Sequence, residues 1–433
     1  MKWDEGDLIK RLCRALDITK RSVTLFAERG YTDSEVVDNS FRPDKPIAEA
    51  AMLVYAASGI NQPSVAERVT ALARTLAPLA RSKRIMLSMV LHPSACVELA
   101  VPHILLSKLG FEDAVCDDLL GLCLKSQASQ GHERAPFASL ERRWILALWN
   151  GVEPGRDWQI ELEQSVLKWP IDLLGGLKED AYALTHLLMY CSDFGLEVKG
   201  LPRPRVAVLA DARSLLARCL DEEDYDLAAE VLMIWPQLGA PWCASSTFAF
   251  RVLMNVEDQV GVLPSVRTKI ERLNELTGEE RTRYAFATAY HTALVMGLLC
   301  ALALRREGAP PARLPGPTSE KVLVDELSSF IGTDQGHWQP LFASLPHSER
   351  LTLAPLLLDI ALAQRFRRHD YEAANQLLDI ADKYGMEQSP LYLQASEMLE
   401  RLVVFSMARR DPATCPRDSL ASVRALHEPI RLR

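Results

Sequence analysis

Apolar positions recur along this chain with the period of an α-helix. Val65, Val69, Leu72, Leu76 and Leu79 follow an i, i+4, i+7 pattern, and Leu140, Trp144, Ile145 and Leu148 repeat it. The same spacing runs through 206–220, 225–234, 248–256, 284–304, 322–331, 353–366, 371–384 and 391–405. No alternating β-branched run of useful length interrupts these segments, so strands are not expected. Proline and glycine are expected to fall between the periodic stretches, at Pro43, Pro46, Pro93, Pro102, Pro154, Gly155, Pro170, Gly175, Gly176, Pro202, Pro204, Pro236, Pro241 and Pro264. Asp, Ser and Thr precede many runs, as N-caps do. The pattern predicts an all-α fold of helical hairpins, curled into a full or partial α/α toroid.

A break in the pattern divides the chain. The segment 306–317, REGAPPARLPGP, has adjacent prolines and cannot be helical through its middle. It separates a main, toroid-like domain (1–305) from smaller C-terminal helical hairpins (318–410). A tail follows (411–433) that is expected to be loosely held. Asp224-Tyr225-Asp226-Leu227-Ala228-Ala229 and Asp370-Tyr371-Glu372-Ala373-Ala374 both open amphipathic helices after a charged turn. The second resembles the first helix of a tetratricopeptide unit, but no fixed period continues it.

Composition narrows the classes of function. The 433 residues carry 48% hydrophobic and 24% charged side chains and a net charge of −8. This is an ordinary globular balance whose sign disfavours nucleic acid or an acidic membrane as the main partner. The nine cysteines are scattered without a CxxC pair, which suits a reducing compartment. The N-terminus has early acids and no apolar signal region, and the longest apolar run, 292–304, is short for a membrane span. A cytoplasmic protein is expected.

Candidate chemistry lies in two apolar helices that carry polar stripes. In 179–195, EDAYALTHLLMYCSDFG, helical spacing puts Tyr182, His186, Tyr190 and Asp193 on one face. In 284–297, YAFATAYHTALVMG, Tyr284, Thr288 and His291 share a face. Burying an unpaired polar ring costs on the order of 1–3 kcal/mol, so such groups are either paired structurally or put to use. Their use would be acid–base catalysis. His186 would be the general acid/base, His291 its counterpart, Tyr190 a donor and Asp193 the carboxylate that orients the imidazole, with Tyr182, Tyr284 and Thr288 contacting substrate. The plain alternative is two hydrogen-bonded core histidines. No cofactor is expected; a divalent metal held by His186, Asp193 and His291 is a variant of the same reading. Weaker candidates are His92 and His103, the acidic turn 221–226, Glu257-Asp258, and an ion-pair network of Glu133, Arg134 and Glu141 near Trp144. Phosphate-loop, dinucleotide, HExxH and GxSxG motifs are absent, and Asp117-Asp118 lacks the third acid of a DDxxD site.

The runs DAYALTHLLMY-x-SDFG, DYDLAAEVL-x-IWP and YHTALVMGLLCA resemble a family of bacterial all-helical proteins of no assigned activity, found near natural-product biosynthesis genes. The resemblance spans about Arg42 to Leu304 and implies a biosynthetic role, enzymatic or accessory. Two functions therefore stand at this point. One is an enzyme of specialised metabolism acting on a small molecule or peptide. The other is a helical scaffold that binds a partner protein, which the acidic surface and the 370–384 hairpin favour. Both histidines lining one closed cavity would favour the enzyme.

Overall fold

A computed structural model describes residues 4–29, 44–153, 158–196, 200–306, 308–332 and 336–410. The expected tail lies outside them. Among the described residues the protein is helical, with no strand. The helices that build the frame are α1 (Glu5–Arg29), α2 (Asp44–Ala57), α3 (Pro63–Ala80), α4 (Cys96–Ser107), α5 (Pro136–Trp149), α6 (Lys178–Cys191), α7 (Arg205–Asp221), α8 (Tyr225–Leu232), α9 (Ala244–Val260) and α10 (Gly278–Arg305). After the 306–317 break come α11 (Ala354–Arg367), α12 (Tyr371–Lys383) and α13 (Pro390–Arg410), with shorter helices before them.

Six of these helices pack in a closed circuit: α2 on α4, α4 on α5, α5 on α6, α6 on α8, α8 on α10, and α10 back on α2. Side-chain register gives their direction. Along α2 and α10, Glu49 meets His291, Leu53 lies beside Gly297, and the Tyr55 carbonyl accepts from Arg305. Along α5 and α6, Phe137 meets His186 and Glu141 meets Tyr190. Along α6 and α8, Tyr182 meets Asp226 and Thr185 meets Glu230. Each of these neighbouring pairs is parallel, so their N-terminal halves gather at one end of the circuit. α1 and α3 lie outside α2, α1 also covers α10, and α7 and α9 back α8.

The opposite end is closed by a polar floor. Trp144, fully buried, donates its indole N–H to Asp193 at 2.8 Å, and the Tyr55 hydroxyl donates to the same carboxylate at 3.1 Å. Phe194 is buried between the Tyr55 and Trp144 rings, with centroids 6.2 and 5.5 Å away. Asp193 and Phe194 adopt left-handed φ angles of 46° and 52°, and Gly195 follows at 79°. Left-handed backbone costs a residue with a Cβ roughly 1–2 kcal/mol. The buried ring and the two donors to Asp193 offset that strain.

The helical expectation is met, including the two helices that open at Asp224 and Asp370. Each aspartate caps its helix by accepting a backbone N–H, from Leu227 and Ala373. Residues 306 and 308–317 are non-helical, and the segment is pinned at two points: Trp242 donates to the Gly308 carbonyl and Arg251 to the Ala312 carbonyl. α11 and α13 rest on α7, and buried apolar residues run without interruption from Leu8 to Ala395. Glu257 and Asp258, expected at a helix exit, clamp Arg11 of α1.

One close approach sets the spacing of α1 and α10. A Cβ on Gly297 would sit 2.7 Å from the Ala15 Cβ and 3.1 Å from Leu53. Alanine is the better helix former by about 1 kcal/mol, but overpacking a rigid core costs about 1–3 kcal/mol. The packing penalty should win, since the Ala15 methyl cannot rotate away. Gly297→Ala is therefore expected to lower the unfolding free energy in urea titrations, and a stabilised variant would show that the contact is looser than described.

Candidate functional site

The parallel N-terminal halves of α2, α6 and α8, with the middle of α10, line a partly open cavity of about 420 Å³. Tyr182 and His186 reach it from α6, Lys45 and Glu49 from α2, Asp226 and Glu230 from α8, and Thr288, Tyr290 and His291 from α10. The loop after α9 adds Ser265 and Arg267. His186 and His291, widely separated in sequence, thus line one cavity.

Glu230 joins the two histidines. It is only 3% exposed, and its Oε2 accepts from the Thr185 hydroxyl at 2.6 Å. The same Oε2 lies 3.6 Å from His186 Nδ1, while Oε1 lies 4.0 Å from His291 Nε2. Burial raises the Glu230 carboxyl above its ordinary range. The histidines on either side pull it down, but not enough to cancel burial and the neighbouring Asp226.

His186 is held in one orientation. Its Nδ1 is 2.7 Å from the Tyr182 carbonyl, which can only accept, so Nδ1 carries the proton. In the neutral ring Nε2 then bears the lone pair, and no described residue hydrogen-bonds to it. The rings of Phe137, Tyr182 and Tyr190 surround the imidazole edge-on at 6.1–6.3 Å.

His291 is the positive centre. Its Nδ1 lies 3.2 Å from Glu49 Oε2, an ion-pair distance without good hydrogen-bond alignment, and its Nε2 lies 3.6 Å from Asp226 Oδ2. Burial alone would lower its pKa, but Asp226 and Glu49 outweigh burial and lift it to about 10. Glu49 responds in the opposite sense: burial pushes it up, and His291 and Lys45 bring it below its ordinary value. Asp226 sits in the first turn of α8, where the helix dipole favours a carboxylate. Its Oδ2 accepts from the Tyr182 hydroxyl at 3.1 Å.

Of the sequence candidates, His186, His291, Tyr182 and Thr288 line the cavity. Three others do not act there as expected. Asp193 does not orient His186: α6 ends at Cys191, two residues earlier, so the helical spacing that placed Asp193 on the stripe fails, and the carboxylate holds Tyr55 and Trp144 in the floor. The metal set of His186, Asp193 and His291 falls with it. Tyr190 lies behind His186, stacked on Trp144, and donates to Glu141 at 3.0 Å. Tyr284 turns toward the loop after α9, where its hydroxyl accepts from the Lys269 N–H. His103 is buried elsewhere between Arg81 and Asp117, and His92 ends a separate helix. Arg134 pairs with Glu98 rather than with Glu141.

The residues that the sequence reading missed are the acids. Asp226 looked like part of a solvated turn, and Glu49 and Glu230 are single charges in apolar helices. The argument from burial cost that singled out the histidines applies to Glu49 and Glu230 as well.

The positive centre has a measurable consequence. Because the folded-state pKa of His291 is raised above the ordinary value near 6.5, its stabilising effect is complete below about pH 6.5 and is lost as pH climbs toward about 10. Histidine NMR should show this imidazole still protonated at pH 8. Stability should decline over that pH window in the natural protein and decline less in His291→Gln. An imidazole titrating near 6.5 would contradict the ion-paired arrangement.

Comparison with known proteins places the chain in a family. Residues 12–301 match the family described as a domain of unknown function (DUF6895), and the chain belongs to that family. No curated protein and no solved structure matches it.

Proposed function

We propose that this DUF6895 protein is an enzyme that moves protons on a small polar molecule or peptide bound between His186 and His291. The observation that carries the proposal is the state of His186: Nδ1 is fixed on the Tyr182 carbonyl and Nε2 is left as an unpartnered base in a cavity of ligand size. Glu230 beside Nδ1 would stabilise the imidazolium that forms when Nε2 takes a proton from the substrate. It fills the role that the sequence had suggested for Asp193. His291, held charged by Asp226 and Glu49, would face negative charge developing on the substrate as a fixed positive centre. Lys45 and Arg267 at the lining suit an anionic substituent.

A cytoplasmic place in bacterial natural-product metabolism is part of the same proposal and rests on the sequence resemblance. The scaffold reading gains less support, since a scaffold has no need of two histidines and three carboxylates around one cavity. The test is a comparison of the natural protein with His186→Gln in fractionated bacterial metabolite extracts, followed by mass spectrometry. A general base contributes about 10²–10⁴-fold, so the variant should lose at least about 100-fold of any turnover while keeping its helical spectrum and melting temperature. Equal turnover in the variant, or its unfolding, would leave His186 a structural residue. A protein partner captured equally by both would favour the scaffold.

A further inference from the structure

We infer that Asp226, Glu230 and His291 form a binding site for one divalent cation of the zinc or manganese class. Donor atoms of these three residues lie within 4.8 Å of one another. Ligands about 2.1 Å from a shared ion stand roughly 3–4.2 Å apart, so small side-chain rotations complete the set. Two carboxylates and one imidazole suit a borderline divalent ion.

A further observation points to a ligand. Asp226 Oδ1 is buried with no hydrogen-bond partner. A buried carboxylate oxygen left open in this way is costly without a cation. Glu230, held by the Thr185 hydroxyl at Oε2, turns Oε1 toward His291 Nε2 across 4.0 Å.

The surroundings supply what metal ligands need behind them. Glu49 lies against His291 Nδ1, so Nε2 is the nitrogen turned toward Asp226 and Glu230. Tyr182 donates to Asp226, and Thr185 donates to Glu230. Each of the three donors therefore has its own orienting partner, the arrangement that fixes a ligand's rotamer and ring face. A divalent ion there would neutralise charge on Asp226 and Glu230.

This inference concerns the proposed active-site cavity and rests on that cavity being a ligand site, but its test reads metal binding alone. Chelator-treated full-length protein is titrated with Zn²⁺ and with Mn²⁺ by calorimetry. One equivalent should bind, with at least about 10-fold weaker affinity in Asp226→Asn and in Glu230→Gln, and about 10-fold or more in Glu49→Gln, the positioning residue. Binding that is absent, or indifferent to all three substitutions, would overturn the site. Should a variant fail to fold, electron spin-echo spectroscopy of Mn²⁺ on the natural protein decides the matter. A directly bound imidazole nitrogen is expected, and a bound ion without one contradicts the assignment. A positive metal result with an inactive cavity would refute only the catalytic proposal, and the reverse result only the metal.

Discussion

Three carboxylates brought out of water around one imidazole are the constraint on which the cavity depends. Glu49, Asp226 and Glu230 come from two helices distant in sequence, and His291 from a third. Like charges this close in a partly desolvated space repel strongly unless a cation or a proton stands between them. The protein supplies both. His291 stays protonated against its own burial, and the Glu230 carboxyl is displaced upward so that it holds a proton more readily. Each response makes sense only in the presence of the other, and both require α2, α8 and α10 to stay in register.

The frame keeps that register with apolar packing and a polar floor. Gly297 lets α1 approach α10 closely, and the approach sits between the site and the floor. At the floor Asp193 ties Tyr55 of α2 to Trp144 of α5, and Arg305 of α10 donates to the Tyr55 carbonyl. Three helices of the circuit and the turn that follows α6 are thereby linked at one end by directional bonds, leaving the other end free to carry charged groups. The left-handed turn at Asp193–Gly195 is the local cost of that closure.

Helical periodicity was enough to read the fold class and most helix positions, because the apolar stripes are long and the caps are chemically explicit. It was enough to single out His186 and His291, which line the cavity, because a polar ring in an apolar run stands out. It failed at Asp193 because nothing in YCSDFG marks the left-handed turn until Gly195, and a helix extrapolated through it puts the carboxylate on the wrong face. It failed at Asp226 because an acid beside the N-cap Asp224 is normally solvated, whereas Tyr182 and His291 here cover it. Glu49 and Glu230 were legible in principle. Each is one acid on an otherwise buried helix face, and only long-range packing reveals that both meet the same imidazole.

The claim that His291 is coupled to its carboxylates is tested most directly by a double-mutant cycle in folding stability at pH 7, using Asp226→Asn, His291→Gln and the pair. Groups in one ion-paired network show interaction energies of roughly 0.5–3 kcal/mol, while independent sites add to within about 0.5 kcal/mol. The double variant is expected to be more stable than the sum of the single losses by an amount in the first range. Simple additivity would mean that the imidazole and the carboxylate do not sense each other, and the charge-centred description of the cavity would be wrong.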